Sequence, residues 1–294
     1  MNFFTGLATA LITPFDENGV NFEQFGKMIE FQIAGGVDAL VLLGTTGEPS
    51  TMTDGEKTAV MEYSVKKVAG RVKVIFGTGG NCTANAVNES VRAQNTGADG
   101  LLVVTPYYNK CTQKGIVEYY KSICGAVSIP VIAYNVPSRT GVNILPATAE
   151  ELSYIPNLAG IKEACGNMAQ ICETTRRVRK RCDVFSGDDW LNIPILSIGG
   201  RGVISVASNL CPEKVKEVVT LTLGGRLAQA NELQDRLLPL IDACFIEVNP
   251  IPVKYGCCAI GFNAGAPRAP LTELEDGHKK VMEKALEGAG IEHI

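Results

Sequence analysis

Leu158-Ala159-Gly160-Ile161-Lys162-Glu163-Ala164 decides how this chain reads, because an apolar run just long enough for one strand leads straight into a lysine. Residues 7–12, 39–43, 72–76, 101–104, 131–134, 183–185 and 202–206 are runs of the same kind. They recur at intervals of about 20 to 33 residues with helix-length segments between, the pattern of strands buried on both faces of a parallel sheet. Thr53-Asp54-Gly55-Glu56 opens one such segment, to residue 69, as a capping box, and Thr83 opens the next, to residue 95. Gly35-Gly36, Gly70 and Gly97 follow helical segments, where a left-handed cap suits glycine.

Eight strand–helix units predict an α/β fold, a (β/α)8 TIM barrel; the same pattern also admits a doubly wound open sheet. After Pro212 the pattern is helical to the end, including residues 227–248 and 277–287. This reads as the last barrel helix followed by additional C-terminal helices. No linker or low-complexity tract interrupts the chain. One domain is therefore expected over residues 1–294, with the barrel in 1–223 and a C-terminal helical extension in 224–294.

Hydrophobic residues make up 46% and charged residues 20% of the 294, an ordinary globular balance. With 27 basic against 31 acidic residues the formal net charge is −4, which implies no nucleic-acid partner. Arg176-Arg177 and Arg179-Lys180-Arg181 lie beside Glu173 and Asp183 and read as a solvated helix face. The apolar stretches, residues 39–43 among them, are far short of a membrane span, and Met1 to Gly6 carries no basic region leading into an apolar one. A cytoplasmic protein without a membrane partner is expected. Its ten cysteines, scattered from Cys82 to Cys258, then read as small buried residues. The two histidines, His278 and His293, argue against a Ser-His-Asp triad, a Cys-His pair or a multi-histidine zinc site. Proton transfer falls to Tyr, Lys, Glu or Asp.

In a barrel of this kind the active site lies at the C-terminal ends of the strands. Those ends carry Gly44-Thr45-Thr46-Gly47-Glu48, Thr105-Pro106-Tyr107-Tyr108-Asn109, Tyr134-Asn135-Val136-Pro137-Ser138-Arg139-Thr140-Gly141, Lys162-Glu163 and Ser186-Gly187-Asp188-Asp189. Lys162 starts from a buried strand, where desolvation favours a neutral, nucleophilic amine. A lysine snorkelling to the rim or paired with Glu163 is the plain alternative. Lys73, which opens its strand, and Lys254, outside the barrel strands, are expected away from the catalytic end. Tyr134 is placed to exchange a proton near Lys162, or else is an aromatic core residue. Thr45 and Thr46 offer hydroxyls and N–H groups to a small carboxylate, or form a plain tight turn. Arg139 suits a carboxylate fork, or is a surface arginine. Gly77-Thr78-Gly79-Gly80 matches neither a P-loop nor a dinucleotide fingerprint.

Together with Gly160-Ile161-Lys162-Glu163-Ala164, Gly202-Val203-Ile204-Ser205-Val206 and Asn249-Pro250-Ile251-Pro252-Val253-Lys254, these strand-end motifs resemble the dihydrodipicolinate synthase / N-acetylneuraminate lyase family of class I, pyruvate-dependent aldolases. The resemblance covers essentially the whole chain. It implies a Schiff base between Lys162 and pyruvate, with Thr45, Tyr108 and Tyr134 as a proton relay. It also implies that Thr46 and the backbone near Gly187 and Ile204 shape the pyruvate pocket. Ser138-Arg139-Thr140-Gly141 is typical of the synthase branch, whose arginine holds the carboxylate of aspartate semialdehyde. Pyruvate and aspartate semialdehyde are then the partners, and the product is 4-hydroxy-tetrahydrodipicolinate, on the route to lysine and diaminopimelate. No metal, nucleotide or other cofactor is needed. A tyrosine of the Tyr107-Tyr108 pair reaches across a dimer interface in the family, and a homotetramer, a dimer of dimers, is expected.

Two rivals share the fold: a sibling lyase cleaving sialate or a 2-keto-3-deoxy sugar acid, which would not require Arg139, and an inactive small-molecule-binding barrel. Regulated family members bind lysine at a dimer-interface pocket. Asn81 and Tyr107 are kept from it, but Asn85 stands in place of a glutamate and Lys57 in place of a histidine. Weak or absent inhibition by lysine is expected.

Overall fold

The computed structural model describes residues 3–293. Eight parallel strands close into a barrel: β1 (Gly6–Ala10), β2 (Ala39–Leu42), β3 (Lys73–Gly77), β4 (Gly100–Val104), β5 (Val131–Asn135), β6 (Leu158–Glu163), β7 (Asp183–Ser186) and β8 (Gly202–Ser205). Each strand pairs with the next in sequence, and β8 returns to β1, so the closed topology replaces the open-sheet alternative. A two-stranded hairpin, Phe15–Asp16 with Gly19–Val20, leads into α1 (Phe22–Ala34).

The outer layer continues with α2 (Asp54–Val68), α3 (Thr83–Thr96), α4 (Gln113–Ala126), α5 (Pro146–Leu152), α6 (Met168–Val178), α7 (Asn192–Ser197) and α8 (Pro212–Leu223). The Thr53 hydroxyl accepts from the Glu56 N–H while Glu56 takes the Thr53 N–H, completing the expected capping box. Gly36, Gly70 and Gly97 adopt positive φ after their helices, whereas Gly35 does not. Arg176 and Arg177 of α6 pair with Glu173, and Arg177 and the following Arg181 with Glu150, so three of the five basic residues are held in partly exposed ion pairs at this helix surface.

Beyond Leu223 lie α9 (Leu227–Cys244), α10 (Ile251–Ala259) and α11 (Asp276–Gly288). The helix expected over 227–248 thus stops at Cys244, and residues 245–250 form a connection held by Glu247. One Glu247 oxygen, Oε1, accepts from the Glu275 N–H at 3.0 Å and meets His278 Nδ1 at 2.7 Å, tying the connection to the start of α11. Among the described residues no helix is long and apolar enough to cross a membrane. All ten cysteines are free, five of them buried.

Two apolar layers follow from the strand period of two. Leu40 and Leu42 of β2, Ala133 of β5, Ile161 of β6 and Val184 of β7 face the helices. Ala39 and Val41, Ile132 and Tyr134, Phe185 and Ile204 fill the barrel interior, with Phe4 stacked on Phe185 at 4.4 Å. In β6 the same alternation sends Lys162 inward and Glu163 outward.

Candidate active site

Lys162 is the last inward-facing residue of β6, and register sets it between Tyr134 of β5 and Phe185 of β7. Its side chain is only 5% exposed. Nζ lies 4.2 Å from the centroid of the Tyr134 ring and, among the described residues, has no hydrogen-bond or carboxylate partner. Burial holds its pKa down to about 8; the carboxylate of Asp189 pulls it upward and the Arg139 cation pushes it further down. The anticipated alternatives, a pair with Glu163 or a snorkelling chain, are not what is seen. Glu163 points away, taking a hydrogen bond from Asn135 Nδ2 at 3.1 Å, and burial pushes its carboxyl up to about 7.

A cavity of about 350 Å³ opens above Lys162. Tyr134, Thr45, Thr46, Arg139 and Gly187 line it, joined by Ser138, Asp188, Trp190, Val206, Phe245 and Asn249. Burial pushes the Tyr134 phenol up to about 12, so it carries its proton at neutral pH. Gly187 is a matter of clearance: a Cβ there would stand 2.7 Å from Cε and 2.9 Å from Cγ of Lys162. Its N–H donates to the Glu163 carbonyl at 2.7 Å, which fixes the approach.

Thr45 and Thr46 sit in a single 3-10 turn after β2. The Thr46 hydroxyl accepts from Asn249 Nδ2 at 3.0 Å, while Arg139 Nη2 donates to the Asn249 carbonyl at 3.2 Å. Asn249 thereby joins the turn after β2 to the single helical turn Pro137–Thr140 that carries Arg139. That donation is the one side-chain hydrogen bond of Arg139 among the described residues, leaving other guanidinium donors for a ligand.

The remaining expected residues are not gathered in. Tyr108, at φ 68°, is 90% exposed and does not line the cavity. No hydrogen bond links Thr45, Tyr134 and Tyr108 among the described residues. Tyr107 instead lines a neighbouring cavity of about 240 Å³, which shares Thr45, Tyr134 and Arg139 with the first. Ile204 lies in the barrel interior, below the cavity, and Val206 takes the lining position.

Lys254 departs from expectation. It is not remote from the catalytic end: Nζ is bonded to Glu48 Oε1 at 2.8 Å and to the Ala266 carbonyl at 3.2 Å, directly behind the Thr45 turn. It does not line the cavity, and Glu48 answers its charge. Lys73 is exposed and bonded to Asp99 at 2.9 Å, as its place at the start of β3 led one to expect.

Sequence reasoning gave no role to Asn249, Trp190 or Phe245. Trp190, the sole tryptophan, sits two residues beyond Asp188 and was open to notice. Asn249 and Phe245 come from the connection after α9, which no periodicity marks.

Comparisons with known proteins place the whole chain in a family. The model of the Dihydrodipicolinate synthetase family matches residues 3–289. The 4-hydroxy-tetrahydrodipicolinate synthase of Caldicellulosiruptor bescii is 51% identical over 292 residues, 99% of each chain. The dihydrodipicolinate synthase of Aquifex aeolicus superposes with a TM-score of 0.96 at 44% identity, covering 98% of this chain and 99% of that one. A chloride-inhibited dihydrodipicolinate synthase from Acinetobacter baumannii, solved in complex with pyruvate, gives a TM-score of 0.96 at 37% identity over 98% and 99% of the two chains. This chain belongs to the dihydrodipicolinate synthetase family.

Proposed function

We propose that this chain condenses pyruvate with L-aspartate 4-semialdehyde through a Schiff base on Lys162, giving 4-hydroxy-tetrahydrodipicolinate in lysine and diaminopimelate biosynthesis. The observation that carries the reading is a buried, unpartnered amine at the floor of a cavity, beside a phenol that keeps its proton. Neutral Lys162 attacks the pyruvate ketone carbon; the oxygen gains two protons, one shed by the amine nitrogen and one from Tyr134, and leaves as water from a protonated imine. The imine nitrogen then draws electrons from the methyl carbon, which loses a proton to give an enamine. The enamine carbon attacks the aldehyde, whose carboxylate is held by Arg139. The amino group of that substrate closes onto the imine carbon and expels Lys162.

Thr46 and the Gly187 backbone bound the pyruvate end, with Ile204 beneath them. Thr45 passes protons to and from Tyr134. Tyr108 completes the relay in a partner subunit, a role supported by its high exposure, and the working assembly is a homotetramer in the cytoplasm. The chain acts as one domain, since Asn249 and Phe245 of the C-terminal part line the barrel's own cavity. Arg139 at that cavity favours the synthase reading over a sugar-acid lyase, and intact Lys162, Tyr134 and Thr45 favour an enzyme over an inactive barrel.

Borohydride reduction in the presence of pyruvate is the test. One reduced pyruvyl adduct per chain is expected, at Lys162. Trapping at limiting pyruvate should quicken as the pH rises through about 8, because the amine becomes neutral there. An adduct at Lys73 or Lys254, or none, overturns the mechanism.

A further inference from the structure

We propose that Trp190 and Phe245 form an aromatic rim that selects the second substrate, admitting a short aldehyde and rejecting a polyhydroxylated one. The inference rests on the reading that this cavity joins pyruvate to an aldehyde, and names what that reading leaves open: how the site sorts aldehydes. Both rings line the cavity, yet they are 45% and 43% exposed. Apolar rings are ordinarily covered when a core is near enough to take them. These two are kept partly in water at the one place where a ligand would cover them.

Trp190 is held there. Its backbone N–H donates to Asp188 Oδ1 at 3.1 Å, in the single turn after β7. Its indole Nε1–H donates to Asp242 Oδ1 at 2.9 Å, on the last turn of α9. Three residues on, Phe245 caps that helix. The two rings are thus fixed to one helix end, and Asn249, four residues past Phe245, holds Arg139. An aldehyde whose carboxylate reaches Arg139 and whose carbonyl carbon reaches the Lys162 enamine is confined to the same cavity as the two rings.

Chemistry supplies the selectivity. The rim's one polar hydrogen, the indole N–H, is already spent on Asp242. A chain bearing hydroxyls on successive carbons would lose water at the rings and gain no partner there, a penalty of about a hundredfold or less for one hydroxyl on an apolar surface that grows with each further one. The cavity of about 350 Å³ is also near the small end for a ligand site. Short chains with a single polar end fit both conditions.

Because Trp190 is the only tryptophan, emission excited beyond the absorption of the eight tyrosines reports on this ring alone. With pyruvate already on the enzyme, adding succinate semialdehyde, which has the carboxylate and aldehyde but no amine to cyclise, should shift the emission. Pyruvate by itself should shift it far less. For Trp190→Ala, kcat/KM for aspartate semialdehyde should fall about tenfold, mostly through KM, while condensation with glyceraldehyde or erythrose rises, moving the ratio about a hundredfold. Trp190→Phe, which keeps a ring, should stay within a few-fold of the parent. Borohydride trapping of pyruvate separates the two levels of the argument. If the unaltered enzyme traps no pyruvate, the condensation reading fails and the rim falls with it. If trapping is normal but Trp190→Ala leaves the aldehyde ratio where it was, or lowers trapping as much as condensation, the rim alone is refuted.

Discussion

Replacing Gly187 by alanine should disable the Lys162 amine without unfolding the barrel. The new Cβ would lie 2.7 Å from Lys162 Cε, 2.9 Å from its Cγ and 3.0 Å from the Glu163 carbonyl oxygen. Carbon atoms in contact prefer roughly 3.5 to 4.0 Å, so about 0.8 Å or more must be found. Backbone retreat is opposed by the 2.7 Å bond from the Gly187 N–H to Glu163. The lysine stem cannot simply swing its tip aside, since Cγ as well as Cε is obstructed. Overpacking of this kind costs about 1 to 3 kcal/mol, a loss that a barrel with a continuous core survives. Displacing a reacting group by about 1 Å costs roughly a hundredfold in rate, so catalysis should suffer more than stability. Borohydride trapping with pyruvate, followed in parallel with thermal melting, measures both. Gly80→Ala is the control, because a Cβ there meets nothing within 4 Å; its trapping rate should stay within twofold of the parent. Trapping by Gly187→Ala within threefold of the parent, at an unchanged melting temperature, would show that the approach of Gly187 to Lys162 is not what positions the amine.

Arg139→Ala should lower condensation by tens- to hundreds-fold, the worth of a charge-assisted contact of roughly 2 to 4 kcal/mol, yet leave pyruvate trapping nearly intact; equal loss of both steps would assign the arginine to the pyruvate pocket or the fold. Glu163→Gln tests a buried carboxyl raised to about 7 from an ordinary 4.5. Such a group contributes stability that is whole below the unfolded value and is lost as the pH rises through the folded one. Urea denaturation should therefore show the glutamine variant gaining on the parent by roughly 3 kcal/mol between pH 4.5 and 8, and a difference that does not change with pH would place the proton elsewhere. Lysine should inhibit weakly or not at all. Lys57 brings a cation, with Asp54 at 3.3 Å as its partner, and Asn85 lacks the acidic acceptor that the family resemblance calls for; half-inhibition by sub-millimolar lysine contradicts this.

The strands were legible because each buries both faces, and continuous apolar runs survive any choice of outer helix. The capping box at Thr53 was legible for a local reason, two side chains satisfying two backbone donors within four residues. The hairpin at Phe15–Asp16 and Gly19–Val20 was not, since two-residue strands carry no period. Gly77-Thr78-Gly79-Gly80 could be excluded as a phosphate cradle but not explained from sequence. In the fold, a Cβ at Gly77 would strike the Leu43 carbonyl at 2.1 Å, and one at Gly79 the Val104 backbone at 2.3 Å. These glycines let neighbouring chain segments pass, a demand that exists only once the barrel closes. The four residues wrongly added to the helix before Asn249 include Phe245, which lines the site.

The two buried lysines show most plainly where a linear reading stops. Lys162 and Lys254 both follow apolar residues, and burial lowers the pKa of each. What separates them is a partner more than two hundred positions away in the chain. Glu48 meets Lys254 at 2.8 Å with both side chains essentially inaccessible, so the charge is answered and the amine is held in a structural pair. Removing either member would strand a buried charge, at a cost of about 3 to 5 kcal/mol. Lys162 has no such answer. The Asp189 carboxylate that draws its pKa upward is bound instead by the Val206 and Ala207 N–H groups at 2.9 Å and by Asn192 at 3.1 Å. With its oxygens occupied there, Asp189 fastens the end of β8 and makes no ion pair with the amine. The cavity end of the barrel therefore holds two buried lysines, both desolvated, one neutralised by pairing and one left free to become a neutral nucleophile.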